Sequence, residues 1–209
     1  MVRYLPLGSI IAVLLYVSGV ALKSSASADI AKLDDAIKPI IIGRVDAPVT
    51  IVEYASLGCS HCAKFHTETY PKLKKEYIET GKVKLLFRDF PLGTPALAAS
   101  MIARCAGPSR YLGFVNIFFR SQKDWSQAND PLGALKKVAR FGGLSGDDVD
   151  QCLRQQKLID HLQEIARKAN SKHGINSTPS FLINDKKISG ALEYKEFRAL
   201  IEKALELRE

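Results

Sequence analysis

The sequence contains few side chains that commonly bind metal ions, with four cysteines and four histidines among its 209 residues. A structural zinc site needs about four ligands, which often come in closely spaced pairs. Cys59 and Cys62 form one such pair, whereas Cys105 and Cys152 are isolated, and the histidines farther along the chain supply no second pair. The sequence therefore argues against a structural zinc site.

The sequence also lacks an uninterrupted basic tract, a base-stacking motif, internal repeats and low-complexity segments. Its formal net charge is +8, but the lysines and arginines are spread along predicted helices. A dispersed excess of this kind is typical of a solvated basic surface, so we expect no nucleic-acid binding. The hydrophobic and charged fractions are ordinary for a globular protein and indicate no function by themselves.

The first 28 residues have the pattern of a secretory signal peptide. Arg3 precedes an uncharged run at residues 4–22, and a cleavage pattern of the A-x-A type ends at Ala28. We expect cleavage after Ala28, with an uncleaved membrane anchor as the alternative because the uncharged run is long enough to cross a bilayer. Either alternative exports residues 29–209, in a bacterium to the periplasm, where cysteines tend to be paired.

Residues 49–54 form an almost continuous apolar run, which indicates a strand buried on both faces. The chain then opens into a predicted helix at Cys59, which Pro71 is expected to kink or divide. Residues 83–90 form a second strand candidate. Strand, helix and strand together predict a βαβ unit with parallel strands.

Residues 95–173 contain no convincing strand and show helical periodicity, which predicts a helical insertion. Strand character returns at residues 180–184 and 187–189, around a predicted turn at Asp185-Lys186, which indicates a β-hairpin before a closing helix. The predicted division of the chain is a signal at 1–28, a βαβ part at 40–94, the insertion at 95–173 and a ββα part at 174–209.

The segment Cys59-Ser60-His61-Cys62 places two thiols one turn apart at a predicted helix N-terminus. Unsatisfied backbone N–H groups and the helix dipole favour a thiolate there, so the pKa of Cys59 should fall below the ordinary value of about 8.5. Cys62 would face inward and resolve a mixed disulfide, and a His61 imidazolium would stabilise the Cys59 thiolate further. These features favour redox chemistry, with an inert disulfide or half of a metal site as alternatives.

Glu53 and Thr178-Pro179 are two further candidate site elements. Glu53 lies in an apolar strand before the cysteine pair, so it is either a buried acid that exchanges protons with Cys62 or a strand-end residue paired with a lysine. Local sequence favours a trans Thr178-Pro179 bond that begins a strand.

The second pair of cysteines lies in the helical insertion. If Cys105 and Cys152 are joined, they close a 48-residue loop, a constraint that stabilises a fold by about 4 kcal/mol in the chain-entropy model. Two buried free thiols are the alternative, although an oxidising compartment favours the pair.

The order of these motifs resembles the DsbA-like periplasmic thiol:disulfide oxidoreductases, from about residue 40 to residue 207. The segments that carry the resemblance are Val52-Glu53-Tyr54, Cys59-Ser60-His61-Cys62, Arg88-Asp89-Phe90-Pro91-Leu92, the helical insertion, Thr178-Pro179-Ser180-Phe181-Leu182-Ile183-Asn184 and Ile188-Ser189-Gly190. The resemblance implies an α/β thioredoxin fold in which a helical domain is inserted between the βαβ half and the C-terminal ββα half.

The resemblance also implies roles for individual residues. Cys59 matches the attacking sulfur, and Glu53 matches the family's buried acid. Thr178-Pro179 matches a cis peptide that lies against the redox pair and binds extended substrate, which reverses the local expectation of a trans bond. Cys105 and Cys152 are similar to the second disulfide of one subgroup.

As a function, the resemblance implies donation of disulfides to unfolded or reduced exported proteins. It implies no cofactor beyond the Cys59-Cys62 disulfide, and reoxidation by a DsbB-type membrane protein. The segment between the signal and the first strand is too short for the dimerisation domain that family isomerases usually carry. We therefore expect a monomeric oxidant.

Two alternatives stay open. Ser60 departs from the proline of the familiar oxidant, and a threonine before the cis proline also occurs in family isomerases and reductases, so the direction of electron flow is the first open point. From another functional class, the chain could be an exported module that binds copper or zinc through Cys59 and Cys62.

Overall fold

The structure is a computed structural model that describes residues 30–207. Its strands are β1 (Ile40–Ile42), β2 (Val49–Ala55), β3 (Val83–Asp89), β4 (Ser180–Ile183) and β5 (Lys186–Ser189). They form one sheet in the order β1-β3-β2-β4-β5, in which β2 and β3 are parallel and the other neighbours are antiparallel. The predicted βαβ unit is therefore confirmed, and the hairpin β4-β5 extends the sheet beside β2.

Along the chain, the described helices lie before, between and after these strands. They are α1 (Leu33–Ala36), α2 (Ser60–Lys64), α3 (Tyr70–Leu73), α4 (Thr94–Cys105), α5 (Pro108–Arg120), α6 (Gln122–Ser126), α7 (Pro131–Phe141), α8 (Gly146–Leu153), α9 (Gln156–His173) and α10 (Tyr194–Glu206). Two π-helical segments, π1 (Phe65–Thr69) and π2 (Lys74–Ile78), follow α2 and α3. Helices α4 to α9 form the predicted helical insertion between β3 and β4.

The helical segment after β2 continues through Pro71 as alternating α- and π-helical turns. Pro71 lies in the first turn of α3, where its missing N–H removes the least hydrogen bonding. Wider π-helical turns precede and follow α3, and the chain stays helical past Pro71 instead of breaking there as the sequence predicts. Cys62, Phe65 and Leu73 nevertheless stay on one buried face, each at most 1% exposed.

Local capping explains two of the helix starts in the insertion. The Asp130 side chain accepts a hydrogen bond from the backbone N–H of Gly133, and Pro131 begins α7. Ser145 and Asp148 form a reciprocal capping box at the start of α8. The short helix α6, whose N-cap residue makes no side-chain cap hydrogen bond, was not predicted.

The turn of the β4-β5 hairpin lies one residue earlier than predicted. Asn184 and Asp185 form the turn, with φ angles of 44° and 71°, and β5 already begins at Lys186. Two-residue hairpin turns require left-handed backbone, which asparagine and aspartate tolerate better than lysine does. The prediction of a turn at Asp185-Lys186 was therefore wrong in register.

Cys105 of α4 and Cys152 of α8 form a disulfide, and both residues are fully buried. The alternative of two free thiols is therefore wrong. The Ala31 N–H donates to the carbonyl of Cys105, so the same region also holds the N-terminal part of the described chain.

The predicted signal peptide at residues 1–28 lies outside the described residues. Within residues 30–207, no helix is both long and apolar enough to cross a membrane.

Candidate active site

The two thiols of the Cys-x-x-Cys segment lie where β2 leads into α2. The N–H of Cys59 donates to the carbonyl of Ser56, and the carbonyl of Cys59 accepts from Ala63 in the first helical turn. Cys59 is partly exposed and Cys62 is fully buried. Both are free thiols in this structure, so one sulfur is accessible to a partner while the other is enclosed.

Hydrogen bonds favour the ionised form of Cys59. The thiol of Cys62 contributes most and lowers the pKa of Cys59 to about 5 against the opposing effect of partial burial. The Thr178 side chain and the backbone N–H groups of Cys62 and His61 lower this pKa further. Cys59 is therefore a thiolate at neutral pH, as the helix N-terminus predicted.

The surroundings of Cys62 have the opposite effect. Burial raises the pKa of Cys62 well above its ordinary value, and the hydrogen bond to Cys59 and the charges of Cys59 and Glu53 raise it further. Cys62 therefore keeps its proton at neutral pH. The pair consists of a nucleophilic thiolate and a protonated thiol that must lose its proton before it can attack.

Thr178-Pro179 is a cis peptide in this structure, as the family resemblance implied and contrary to the local expectation. The carbonyl oxygen of Thr178 lies 3.2 Å from Sγ of Cys59 and accepts a hydrogen bond from the thiol. Among the described residues, the buried Thr178 hydroxyl has no hydrogen-bond partner. As a donor to the thiolate, this hydroxyl lowers the pKa of Cys59.

Glu53 is fully buried on β2, and its partner is a histidine. Nε2 of His66 lies 2.9 Å from Oε1 and 3.2 Å from Oε2 of the Glu53 carboxylate. The alternative of a strand-end glutamate paired with a lysine is therefore wrong. Sequence reasoning missed His66, although its position one helical turn after Cys62 places it on the buried face of the helix.

Gln122 is a second residue that sequence reasoning missed. Its side-chain amide donates to the carbonyl oxygens of Leu57 at 2.6 Å and Cys59 at 3.0 Å. These bonds connect α6 of the insertion to the loop that carries the attacking sulfur. No sequence motif pointed to them, because α6 itself lacks a clear periodic signal.

Comparison with known proteins agrees with this geometry. A sequence model of the family described as Thioredoxin matches residues 35–203. Alpha-DsbA1 of Wolbachia pipientis is 33% identical, with a TM-score of 0.76 over 82% of this chain and 92% of that chain. The chain is a DsbA-like member of the thioredoxin family. BdbD of Bacillus subtilis, in its oxidised form, is 25% identical with a TM-score of 0.72 over 86% of this chain and 97% of that one.

Sequence relatives of this DsbA-like protein include longer chains. A Rickettsia felis protein is 31% identical over 84% of this chain but only 62% of its own length. That protein carries the provisional name of a protein-disulfide oxidoreductase. The chain thus spans less than two thirds of that relative. Disulfide bond formation protein D of Bacillus subtilis is 28% identical over 79% of this chain and 76% of the relative.

The two residues between the cysteines of this DsbA-like protein are both exposed. Ser60 is the first residue of α2, at the position where the familiar oxidant has proline. His61 acts on Cys59 through its backbone N–H. Stabilisation of the thiolate by the His61 imidazole stays a prediction.

We expect alkylation of the reduced protein by iodoacetamide to follow ionisation of Cys59, with a midpoint near pH 5. The rate rises as the pH rises through this value, because only the thiolate reacts. Cys62 should stay unmodified, since it is buried and its pKa is raised. After timed quenching, peptide mass spectrometry gives the alkylated fraction of Cys59 and of Cys62 separately.

Thr178→Val is the matched variant for this measurement, because valine keeps the shape of threonine and removes only the donor. Its midpoint should move to higher pH. An unchanged midpoint would mean that the Thr178 hydroxyl does not contact the thiolate.

Proposed function

We propose that the protein is a thiol:disulfide oxidoreductase that donates the Cys59-Cys62 disulfide to reduced exported proteins. The observation that carries this proposal is the partly exposed Cys59 sulfur at the start of α2, beside the fully buried Cys62 thiol and 3.2 Å from the Thr178 carbonyl oxygen. The lowered pKa of Cys59 and the raised pKa of Cys62 support it. Stabilising the dithiol form makes the disulfide form a stronger oxidant.

The proposed cycle begins with the cysteine pair oxidised. A substrate thiolate attacks Sγ of Cys59, the Cys59-Cys62 bond breaks, and the Cys62 sulfur leaves as a thiolate that takes up a proton. A second substrate thiolate then attacks the substrate sulfur of the mixed disulfide and releases Cys59 as a thiolate. Two electrons have passed from the substrate to the protein, and the substrate has gained one disulfide.

The lowered pKa of Cys59 sets an expected direction for electron flow. The attacking thiol of thioredoxin has a pKa of about 7, whereas Cys59 has a pKa of about 5. At pH 7 this difference stabilises the reduced form by about 2 kcal/mol, which corresponds to roughly 50 mV. We therefore expect a reduction potential roughly 50 mV above the thioredoxin value of about −270 mV.

Equilibration with glutathione buffers of defined ratio, followed by acid quenching and alkylation, measures this potential. Peptide masses separate Cys59 and Cys62 from the second pair, Cys105 and Cys152. Thr178→Val should have a lower potential than the wild type, because it loses a donor to the thiolate. A wild-type potential at the thioredoxin value would contradict net oxidation and indicate an isomerase or reductase that an electron donor keeps reduced.

The metal-binding alternative gains no support from the described geometry. Within residues 30–207, no cluster of three or more histidine, cysteine, aspartate or glutamate side chains has an arrangement that could hold a metal ion. Stoichiometric metal retention without thiol exchange would nevertheless favour it over the proposal.

The remaining parts of the proposal concern the setting of this reaction. The protein would act in the periplasm as a monomer, exported by the N-terminal signal or anchored by it. It would need no cofactor beyond the Cys59-Cys62 disulfide, and a DsbB-type membrane protein would reoxidise it. The apolar N-terminal run supports export, and export would bring the protein to reduced, newly exported chains.

A further inference from the structure

His66 is a buried histidine that the thiol exchange described above does not use. Its side chain is only 2% exposed, and Nε2 faces the Glu53 carboxylate. The other ring nitrogen, Nδ1, is buried and has no hydrogen-bond partner among the described residues. A buried polar atom without a partner costs about 1–3 kcal/mol, so a water molecule or a proton-transfer role at Nδ1 would account for it.

A surface pocket of about 200 Å³ lies against this histidine. The residues that line it together with His66 are Thr67, Tyr70, Pro71, Lys74, Asn116, Phe119 and Arg120. Several of these side chains, including Lys74 and Asn116, are exposed, so the pocket reaches solvent. Its volume is enough for several water molecules, each of which occupies about 30 Å³ in the liquid.

The groups that face the imidazole are Glu53 from β2, Tyr70 and Lys74 from the same helical segment, Phe87 from β3, and Phe119 and Arg120 from α5. Apart from the Glu53 carboxylate, these groups are poor carriers of a proton near pH 7. Burial and then the charge of Glu53 raise the pKa of Tyr70 to about 12, so its hydroxyl stays neutral. Lysine and arginine keep their protons at this pH, whereas an imidazole exchanges its proton there.

We propose that His66 relays protons between Glu53 and the water of this pocket whenever Cys62 gains or loses its proton. The inference rests on the proposed function and extends it to the route of the proton. Glu53 is close enough to Cys62 for its charge to act on the thiol, and His66 is its buried hydrogen-bond partner. The Glu53 carboxylate is therefore linked by a hydrogen bond to a histidine that lines a pocket open to solvent.

The transfer balances in both half-reactions. When substrate attack breaks the Cys59-Cys62 bond, the proton on Nε2 of His66 passes to Glu53 and from there to the Cys62 thiolate. Nδ1 takes up one proton from pocket water, which leaves His66 neutral with its proton on Nδ1. During reoxidation the proton of Cys62 leaves by the reverse route, so each half-reaction moves one proton between Cys62 and solvent.

The variant His66→Gln tests this relay. The glutamine amide can still donate a hydrogen bond to Glu53, but it cannot carry a proton. Oxidised protein is mixed rapidly with a dithiol peptide, and acid quenching with alkylation follows the appearance of the Cys62 thiol. We expect the single-turnover rate at pH 7 to fall at least about tenfold, which is the lower range of what a positioned acid or base contributes.

Two further readouts separate a relay from a structural role. In His66→Ala, added imidazole should restore the rate in proportion to its concentration, because it can occupy the space that the side chain leaves. His161→Gln, which replaces a partly exposed histidine on α9, should keep the wild-type rate. Asn116→Phe should also slow the reaction, since a larger side chain in the pocket displaces its water without touching Glu53.

A His66→Gln rate within twofold of the wild type would overturn the relay, and so would a slow His66→Ala rate that imidazole leaves unchanged. If the His66 variants do not fold, the single-turnover rate of Asn116→Phe is the test of the relay. A wild-type rate in this variant overturns the relay. Failure of the wild-type protein to oxidise the peptide would instead refute the proposed function. The two failures are therefore distinguishable in one set of experiments.

Discussion

Cys59→Ser is expected to lower the rate of disulfide transfer to a dithiol peptide by at least about 10³-fold, because serine cannot form a disulfide with substrate. Cys59 is the accessible member of the pair and the one whose pKa is lowered. The measurement is peptide oxidation under a glutathione buffer, followed by mass spectrometry of the peptide. Circular dichroism of the variant checks that its fold is intact, and full activity in a folded Cys59→Ser protein would refute the proposed function.

The companion variant Cys62→Ser should behave differently, because it keeps the attacking sulfur and loses the resolving one. Cys62 is fully buried, so no external thiol can easily take its place. When this variant is mixed with a disulfide-containing substrate, the Cys59 thiolate attacks the substrate disulfide and displaces one substrate sulfur as a thiolate. A mixed disulfide between Cys59 and substrate should therefore accumulate as a covalent complex that reductant releases. If Cys62→Ser trapped nothing while Cys59→Ser did, the assignment of the two sulfurs would be reversed.

Sequence reasoning predicted the parts of this site that have short-range signals. The apolar run of β2, the helix that begins after Cys59 and the spacing of Cys62 are all local properties of the chain. The cis form of Thr178-Pro179 has no comparable local signal, and its contact with Cys59 joins segments more than a hundred residues apart. Only the resemblance to a family indicated it.

The missed residues share a physical reason. Nε2 of His66 is paired with Glu53 across a strand and a helix, and Gln122 reaches the Cys59 loop from the insertion. The spacing of His66 from Cys62 indicates a buried face, but nothing local in the sequence indicates the partner of either residue, since that partner depends on what packs over the side chain. The turn at Asn184 and Asp185 was misplaced for a more local reason, the left-handed backbone that both residues adopt.

A buried ion pair near the end of β3 illustrates the same limit on a larger scale. The guanidinium of Arg104 on α4 contacts the carboxylate of Asp89 at 2.7 Å and 2.9 Å, and both side chains are at most 1% exposed. Tyr111 of α5 donates to the other carboxylate oxygen. Arg104 also donates to the carbonyls of Ala36 and Lys38, so this one side chain connects the sheet, the insertion and the N-terminal segment.

Arg104→Met is therefore expected to lower the free energy of unfolding by about 3–5 kcal/mol, because it leaves the Asp89 carboxylate buried and without its counter-charge. Methionine fills much of the space of the arginine stem, so loss of the ion pair and hydrogen bonds should account for most of the change. Urea unfolding followed by the fluorescence of the single tryptophan, Trp125, measures it. Arg167→Met is the matched control: its ion pair with Glu164 is exposed and should contribute less than about 1 kcal/mol.

A double variant shows whether the uncompensated charge causes the loss. Arg104→Met combined with Asp89→Leu removes both charges, and replacing both members of a buried pair costs much less than removing one. We expect the double variant to be more stable than Arg104→Met alone but less stable than the wild type, since the carbonyls of Ala36 and Lys38 lose their donor and the Tyr111 hydroxyl loses its acceptor. If the double variant were as unstable as the single one, the loss of these hydrogen bonds, and not the uncompensated Asp89 charge, would account for the destabilisation.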